Sequence, residues 1–151
     1  MFKKILVPLD GSKTGEVVLP YVRQLVEKLR SEVTLLQVVA PGHHAHTVGG
    51  LDYVHFTEEQ LELMSADAKQ YLEKVSSKLA DIEGNIRLEV RIGDAAQEII
   101  KLADETDTSL ITMSTHGRSG VGQWIFGSVA QKILQASTRP IFLVRASGVK
   151  A

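Results

Sequence analysis

An alternation restricts the fold open to this chain more than any other feature. Apolar runs at residues 5–7, 33–39, 108–113 and 141–144, with an alternating stretch at 86–91, are separated by segments whose apolar residues recur every three or four positions. The run with Val33, Leu35, Leu36, Val38 and Val39 is too uniformly apolar for a sheet wetted on one side, and predicts a strand over 32–39 buried on both faces. Recurrence at three and four marks amphipathic helices. Strand and helix alternating through to a fifth strand predict an α/β fold: a doubly wound open sheet of parallel strands, with right-handed crossovers and helices on both faces. Periodicity leaves the order of the strands open.

The first strand ends at Pro8, which has no N–H for a ladder, and Asp10-Gly11-Ser12 forms a turn. Val17, Val18, Tyr21, Val22, Leu25 and Leu29 predict a helix over 13–30. Thr57, with Glu59 and Gln60 as capping partners, opens the longest helix, on which Met64 and Tyr71 read as core filler beside Ala68, Leu72 and Val75; residues 81–85 end it, with Gly84 as the stop. Ile86, Leu88 and Val90 alternate with Arg87, Glu89 and Arg91, a strand with one wetter face, as expected near a sheet edge. Asp94 is the expected cap of the next helix. A last helix from Ser128 to about residue 137 is stopped by Arg139-Pro140, and 141–144 form the final strand.

The 151 residues are expected to form one domain over 1–146 with a frayed tail at 147–151, and such a chain buries about 70% of its unfolded surface. Zero cysteines exclude disulfides, thiolate catalysis and cysteine-type zinc sites, and suit a reducing, cytoplasmic location. No apolar run is long enough for a signal peptide core or a membrane span, so no membrane partner is expected. With 17 Lys plus Arg against 18 Asp plus Glu and no basic block, nucleic acid is not an expected partner either. His43, His44, His46 and His55 crowd an irregular stretch at 41–56, but they lack a fixed spacing and a carboxylate cluster, and read as a solvated loop before a metal site. A connection of this length is also suited to act as a lid.

The chemistry concentrates between Leu110 and Leu134. Leu110, Ile111 and Met113 stop at Ser114-Thr115-His116-Gly117; glycines follow at 120 and 122, and Gly127-Ser128 precedes Val129, Ala130, Ile133 and Leu134 at helical spacing. A helix start after a glycine-rich loop offers free N–H groups and close approach to the main chain, which suits a phosphate. A tight turn with no ligand is the plainer reading. The loop has no Gly-Lys-Ser/Thr ending, and Gly117, Gly120 and Gly122 do not follow the first strand, so neither the Walker-type loop nor the dinucleotide fingerprint applies. Asp10 is open to two readings, and the residues alone favour a helix cap over a ligand hydroxyl contact.

Ser114-Thr-His-Gly117, nine residues, then Gly127-Ser128 resembles the nucleotide loop of the universal stress protein family: Gly, two residues, Gly, nine residues, Gly-Ser/Thr. Ser114 stands where that pattern has its first glycine. The opening Lys3-Lys4-Ile-Leu-Val-Pro-Leu-Asp10-Gly-Ser12 and the closing Arg139-Pro-Ile-Phe-Leu-Val144 also resemble the family's first and last strands, so the likeness covers nearly the whole chain.

The resemblance implies an adenine nucleotide alpha hydrolase-like sheet of order 3-2-1-4-5, with the ligand at the switch point between strands one and four. It implies ATP, with Mg or Mn carried on the phosphates. It assigns the adenine edge to the Val38 backbone, the ribose to Asp10, and the phosphates to Gly117, Gly127, Ser128 and Val129, with Arg118 as a candidate cation. Pro8, Leu9, Met113, Ser114, His116 and Gly120 complete the expected binding set. Family likeness further implies a homodimer through the last strand and a nucleotide-dependent stress sensor or interaction module. A weak ATPase or nucleotidyl transferase is the alternative, though no phosphate lysine, metal carboxylate pair or Ser-His-Asp arrangement supports it. A partner-binding dimer with an empty loop is a third.

Overall fold

In the computed structural model, residues 1–41, 56–116 and 126–146 are described. Strand β1 (Lys4–Leu9) is central, because Ile5, Val7 and Leu9 face one apolar cluster and Leu6 the other. With β2 (Glu32–Val39), β3 (Ile86–Ile92), β4 (Leu110–Ser114) and β5 (Ile141–Val144) it forms a parallel sheet of order β3-β2-β1-β4-β5. Helices α1 (Leu19–Leu29) and α2 (Glu58–Ser77) cover one face through Val22, Val26, Leu72 and Val75. The opposite face is covered by α3 (Ala95–Glu105) and α4 (Ser128–Ala136), through Ile99, Leu102, Ala130 and Ile133. Leu6, Leu35, Leu36 and Ile111 are fully buried between the layers, each contributing about 1.5–3 kcal/mol.

Local chemistry sets the ends of these elements. The helix expected from residue 13 begins as a 3₁₀ turn, Gly15–Val18, and becomes regular only at Leu19, where Pro20 sits in the first turn with no N–H to bond backward. Helix α2 opens on a capping box in which Thr57 Oγ1 accepts from Gln60 N–H and Gln60 Oε1 accepts from Thr57 N–H. It ends before the expected 81–85: Ser77 Oγ donates to the Lys74 carbonyl, and Lys78 and Leu79 close tighter three-residue turns. Asp94 caps α3 through Gln97 N–H at 3.0 Å, as its position predicts.

The sheet parts at one place. Strands β1 and β2 keep register over six residue pairs, Lys4↔Glu32 to Leu9↔Gln37, whereas β1 and β4 pair only at Ile5↔Leu110 and Leu6↔Ile111. Lys4 N–H donates to Ser109 Oγ and its carbonyl accepts from Ser109 N–H, so Lys4 and, by alternation, Leu6 and Pro8 turn their backbone toward β4. Pro8 removes the next donor from that side. Beyond it the carboxyl ends of β1 and β4 diverge, at the topological switch point.

Candidate functional site

A cleft of about 840 Å³ opens where β1 and β4 part. Its walls come from the ends of β1, β2 and β4, the start of α4, and the inner face of α2. All ten described residues of the expected binding set line it: Pro8, Leu9, Asp10, Val38, Met113, Ser114, His116, Gly127, Ser128 and Val129. The other three, Gly117, Arg118 and Gly120, lie outside the described residues, as does the histidine-rich stretch at 43–55.

Asp10 is held as an Asx turn. Its Oδ1 accepts from Ser12 N–H at 2.9 Å and from the Ser12 hydroxyl, which in turn accepts from Gly15 N–H at 3.0 Å. The helix-cap reading of Asp10 is thus replaced by a relay in which Ser12 meets the first turn and Asp10 fixes Ser12. Gly11, at φ 85°, lets the chain reverse directly after Asp10. A Cβ on Gly15 would lie 3.0 Å from Asp10 Oδ1, so this carboxylate packs closely against the main chain.

On the opposite wall, Gly127 precedes α4 with no side-chain cap. Its N–H donates to the Thr115 carbonyl at 2.7 Å, closing the neck of the glycine-rich loop, while Thr115 N–H donates to the Val144 carbonyl and fastens that neck to β5. With the Gly127 N–H so occupied, the remaining first-turn N–H groups at the positive end of α4 belong to Ser128, Val129 and Ala130, all three of which line the cleft. Ser114, 6% exposed, accepts through Oγ from His116 N–H at 3.3 Å, so its hydroxyl is turned onto its own turn. Thr115 Oγ1 and His116 Nδ1 lie 3.0 Å apart.

Sequence reasoning passes over a third wall. Gln37, Met64, Asp67, Ala68 and Tyr71 all line the cleft. Met64, Ala68 and Tyr71 recur at helical spacing on α2, and that row is indistinguishable from a core-facing stripe until the cleft is seen. Tyr71 serves both purposes, packing on the core and donating from its hydroxyl to Glu16 Oε1 at 3.1 Å. Burial pushes the Glu16 carboxyl up, but hydrogen bonds from Lys78, at 2.8 Å, and Tyr71 outweigh it and hold the group below its ordinary range. Among the described residues, no group of three His, Asp or Glu is placed to hold a metal ion, and no helix is long and apolar enough to cross a membrane.

Comparison with known proteins agrees with this architecture. The model of the universal stress protein family matches residues 1–145. The chain is 31% identical to universal stress protein YxiE of Bacillus subtilis, over 96% of this chain and all of the relative. It is 27% identical to universal stress protein MJ0577 of Methanocaldococcus jannaschii over 96% of each chain. The solved structure of MJ0577 superposes with a TM-score of 0.82, covering 99% of both chains at 26% identity. A universal stress protein from Archaeoglobus fulgidus, solved in complex with dAMP, shares the fold at a TM-score of 0.60 and 19% identity, covering 95% of this chain and 98% of its own.

Proposed function

The chain belongs to the universal stress protein family, and from that premise we propose that its cleft binds an adenine nucleotide, ATP foremost, as a nucleotide-dependent sensor or interaction module of the cytoplasm, over one domain at 1–146. One observation carries the proposal: Asp10, Val38 and the uncapped start of α4, distant in sequence, line a single cleft where β1 and β4 part. A bare turn needs no such convergence. A volume of about 840 Å³ lies within the usual range for small-molecule sites, about 300–1,000 Å³. The dAMP complex of a protein with the same fold favours an adenine nucleotide as the ligand class.

The Val38 backbone is assigned to the base edge and Asp10 to the ribose hydroxyls. The N–H groups of Ser128 and Val129 take the phosphates, where the dipole of α4 favours negative charge. Pro8, Leu9 and Met113 supply apolar wall, with Ser114 and His116 at the mouth of the loop. Gly117, Arg118 and Gly120 are assigned to the phosphates from the sequence pattern alone. Mg or Mn would travel on the triphosphate, a cation that keeps most of its ligands as water and phosphate.

Calorimetric titration with ATP tests the assignment. Asp10→Ala is expected to bind about tenfold more weakly, the size of a lost charge-assisted hydrogen bond, while Asp10→Asn, which keeps an acceptor for Ser12, stays folded and weakens less. Undiminished ATP binding by Asp10→Ala overturns the ribose assignment.

A homodimer through β5 is part of the same proposal, and the strand's geometry supports it. Pro140 and Val144 turn their carbonyls to β4, so by alternation Ile141 and Leu143 turn their backbone groups outward from the sheet edge. An edge of this kind is ordinarily covered.

A further inference from the structure

The walls of the cleft differ in charge. Among the described residues that line it, Asp10 and Asp67 are the only carboxylates, and no lysine or arginine accompanies them. Contacts lead from the first of these to the element that carries the second. Gly15 packs against Asp10 Oδ1, Glu16 follows Gly15, and Glu16 Oε1 accepts from the Tyr71 hydroxyl of α2 at 3.1 Å. Asp67 lies one helical turn before Tyr71, toward the start of α2 and the carboxyl ends of the strands. Its carboxylate is exposed and makes no hydrogen bond or ion pair with another described residue, so the fold itself has no need of it. On the far side the uncapped start of α4 presents N–H groups and the positive end of its dipole. The cleft is thus negative along the wall shared by β1 and α2, and positive at α4.

We propose that Asp67 is a specificity-determining residue which, together with Asp10, restricts the cleft to nucleotides whose ribose hydroxyls carry no phosphate. Phosphate is accepted at α4 and refused on the sugar. The inference rests on the reading of the cleft as an adenine-nucleotide site with its ribose at Asp10, and it names the ligands that this site turns away. Sugar hydroxyls within reach of Asp10 face the wall to which Asp67 belongs. A phosphate attached to one of them enters a space bordered by two carboxylates, with no lysine or arginine among the described lining residues to meet it. Like charges in a cleft shielded from bulk water repel more strongly than they do in solution. Dinucleotide sites of other parallel sheets divide by the same chemistry: an acidic residue at the ribose goes with a free hydroxyl, and an arginine with a phosphorylated one. Asp67 acts here through its charge, from a second element, and needs no bond to the ligand.

Isomeric probes separate the position of a phosphate from the number of phosphates: ADP, adenosine 2′,5′-bisphosphate and adenosine 3′,5′-bisphosphate. Each is titrated by calorimetry into the original chain, Asp67→Asn and Asp67→Lys, with ATP alongside, and ligand-free stability is followed by denaturant unfolding. The original chain is expected to bind ADP about tenfold or more tightly than either bisphosphate. Asp67→Asn is expected to narrow that ratio about fivefold, with ADP affinity changed by less than about twofold, and Asp67→Lys to remove the preference. Unfolding midpoints stay where they are, as for an exposed helix position. A ratio that is the same in all the proteins, a gain for ADP as large as the gain for the bisphosphates, or tighter binding of a bisphosphate than of ADP by the original chain each overturns the proposal. Failure of the original chain to bind either ADP or ATP removes the site reading itself; ADP binding with a ratio unmoved by substitution removes this inference alone.

Discussion

At the scale of single residues, the site depends on how few atoms separate Asp10 from the backbone around it. Gly11 takes a positive φ of 85°, a region costly to a side chain by about 1–2 kcal/mol. Gly11→Ala is therefore expected to lower the unfolding free energy by about that amount and to disturb Asp10, weakening ATP binding together with stability; denaturant titration and calorimetry on one sample would show both. A variant as stable as the original would mean the turn re-forms with another geometry. That Asp10 belongs to the cleft is legible from its place after the first strand and from the family motif. Its service to Ser12 is not, because an Asx turn and a helix cap draw on the same residue types at the same spacing. Asp67 is illegible for a different reason: a carboxylate on the polar side of a long helix shows no sign of facing a cleft until the helix is placed.

The elements show where a period is informative and where it is not. Strands Glu32–Val39 and Ile141–Val144 fall where their uniform apolar runs predict. Strand β4 runs Leu110–Ser114 instead of 108–113, because Ser109 spends its N–H and hydroxyl on the Lys4 carbonyl and Thr108 Oγ1 lies 2.9 Å from Thr106 Oγ1. The first turn before α1 is pinned to α2 through Glu16, which meets Lys78 at 2.8 Å and Tyr71. Since the folded Glu16 carboxyl is held below its ordinary value of 4.5, its contribution to stability is complete above that pH and is lost as pH falls through the lowered folded value. Glu16→Gln is expected to cost no more than about 1 kcal/mol at neutral pH, the scale of a partly exposed pair, and to flatten the acid limb of the stability curve. An acid limb unchanged by the substitution would assign it to other carboxylates.

For the whole molecule, five strands and four helices are readable from alternation, but the order β3-β2-β1-β4-β5 is not, since nothing in a local period reports which strands meet. The wetter face of β3 does signal an edge, and β3 takes one. At the other edge, Phe142 is 37% exposed and lies 5.9 Å from the ring of Tyr21, itself 46% exposed. Phe142→Glu is expected to convert a dimer to a folded monomer in sedimentation at fixed concentration, and a dimer surviving the substitution would move the interface away from β5. The loop neck bears on the molecule in another way. Thr115 O and Gly127 N meet at 2.7 Å, so the chain leaves the cleft wall and re-enters it at nearly one point, already anchored to β5. Lengthening a segment between two fastened ends costs only logarithmically in entropy. Residues 117–125 thus join two points of the cleft wall that are already fastened to each other and to β5, so an insertion between them would cost little in chain entropy and leave the register of the sheet as it is.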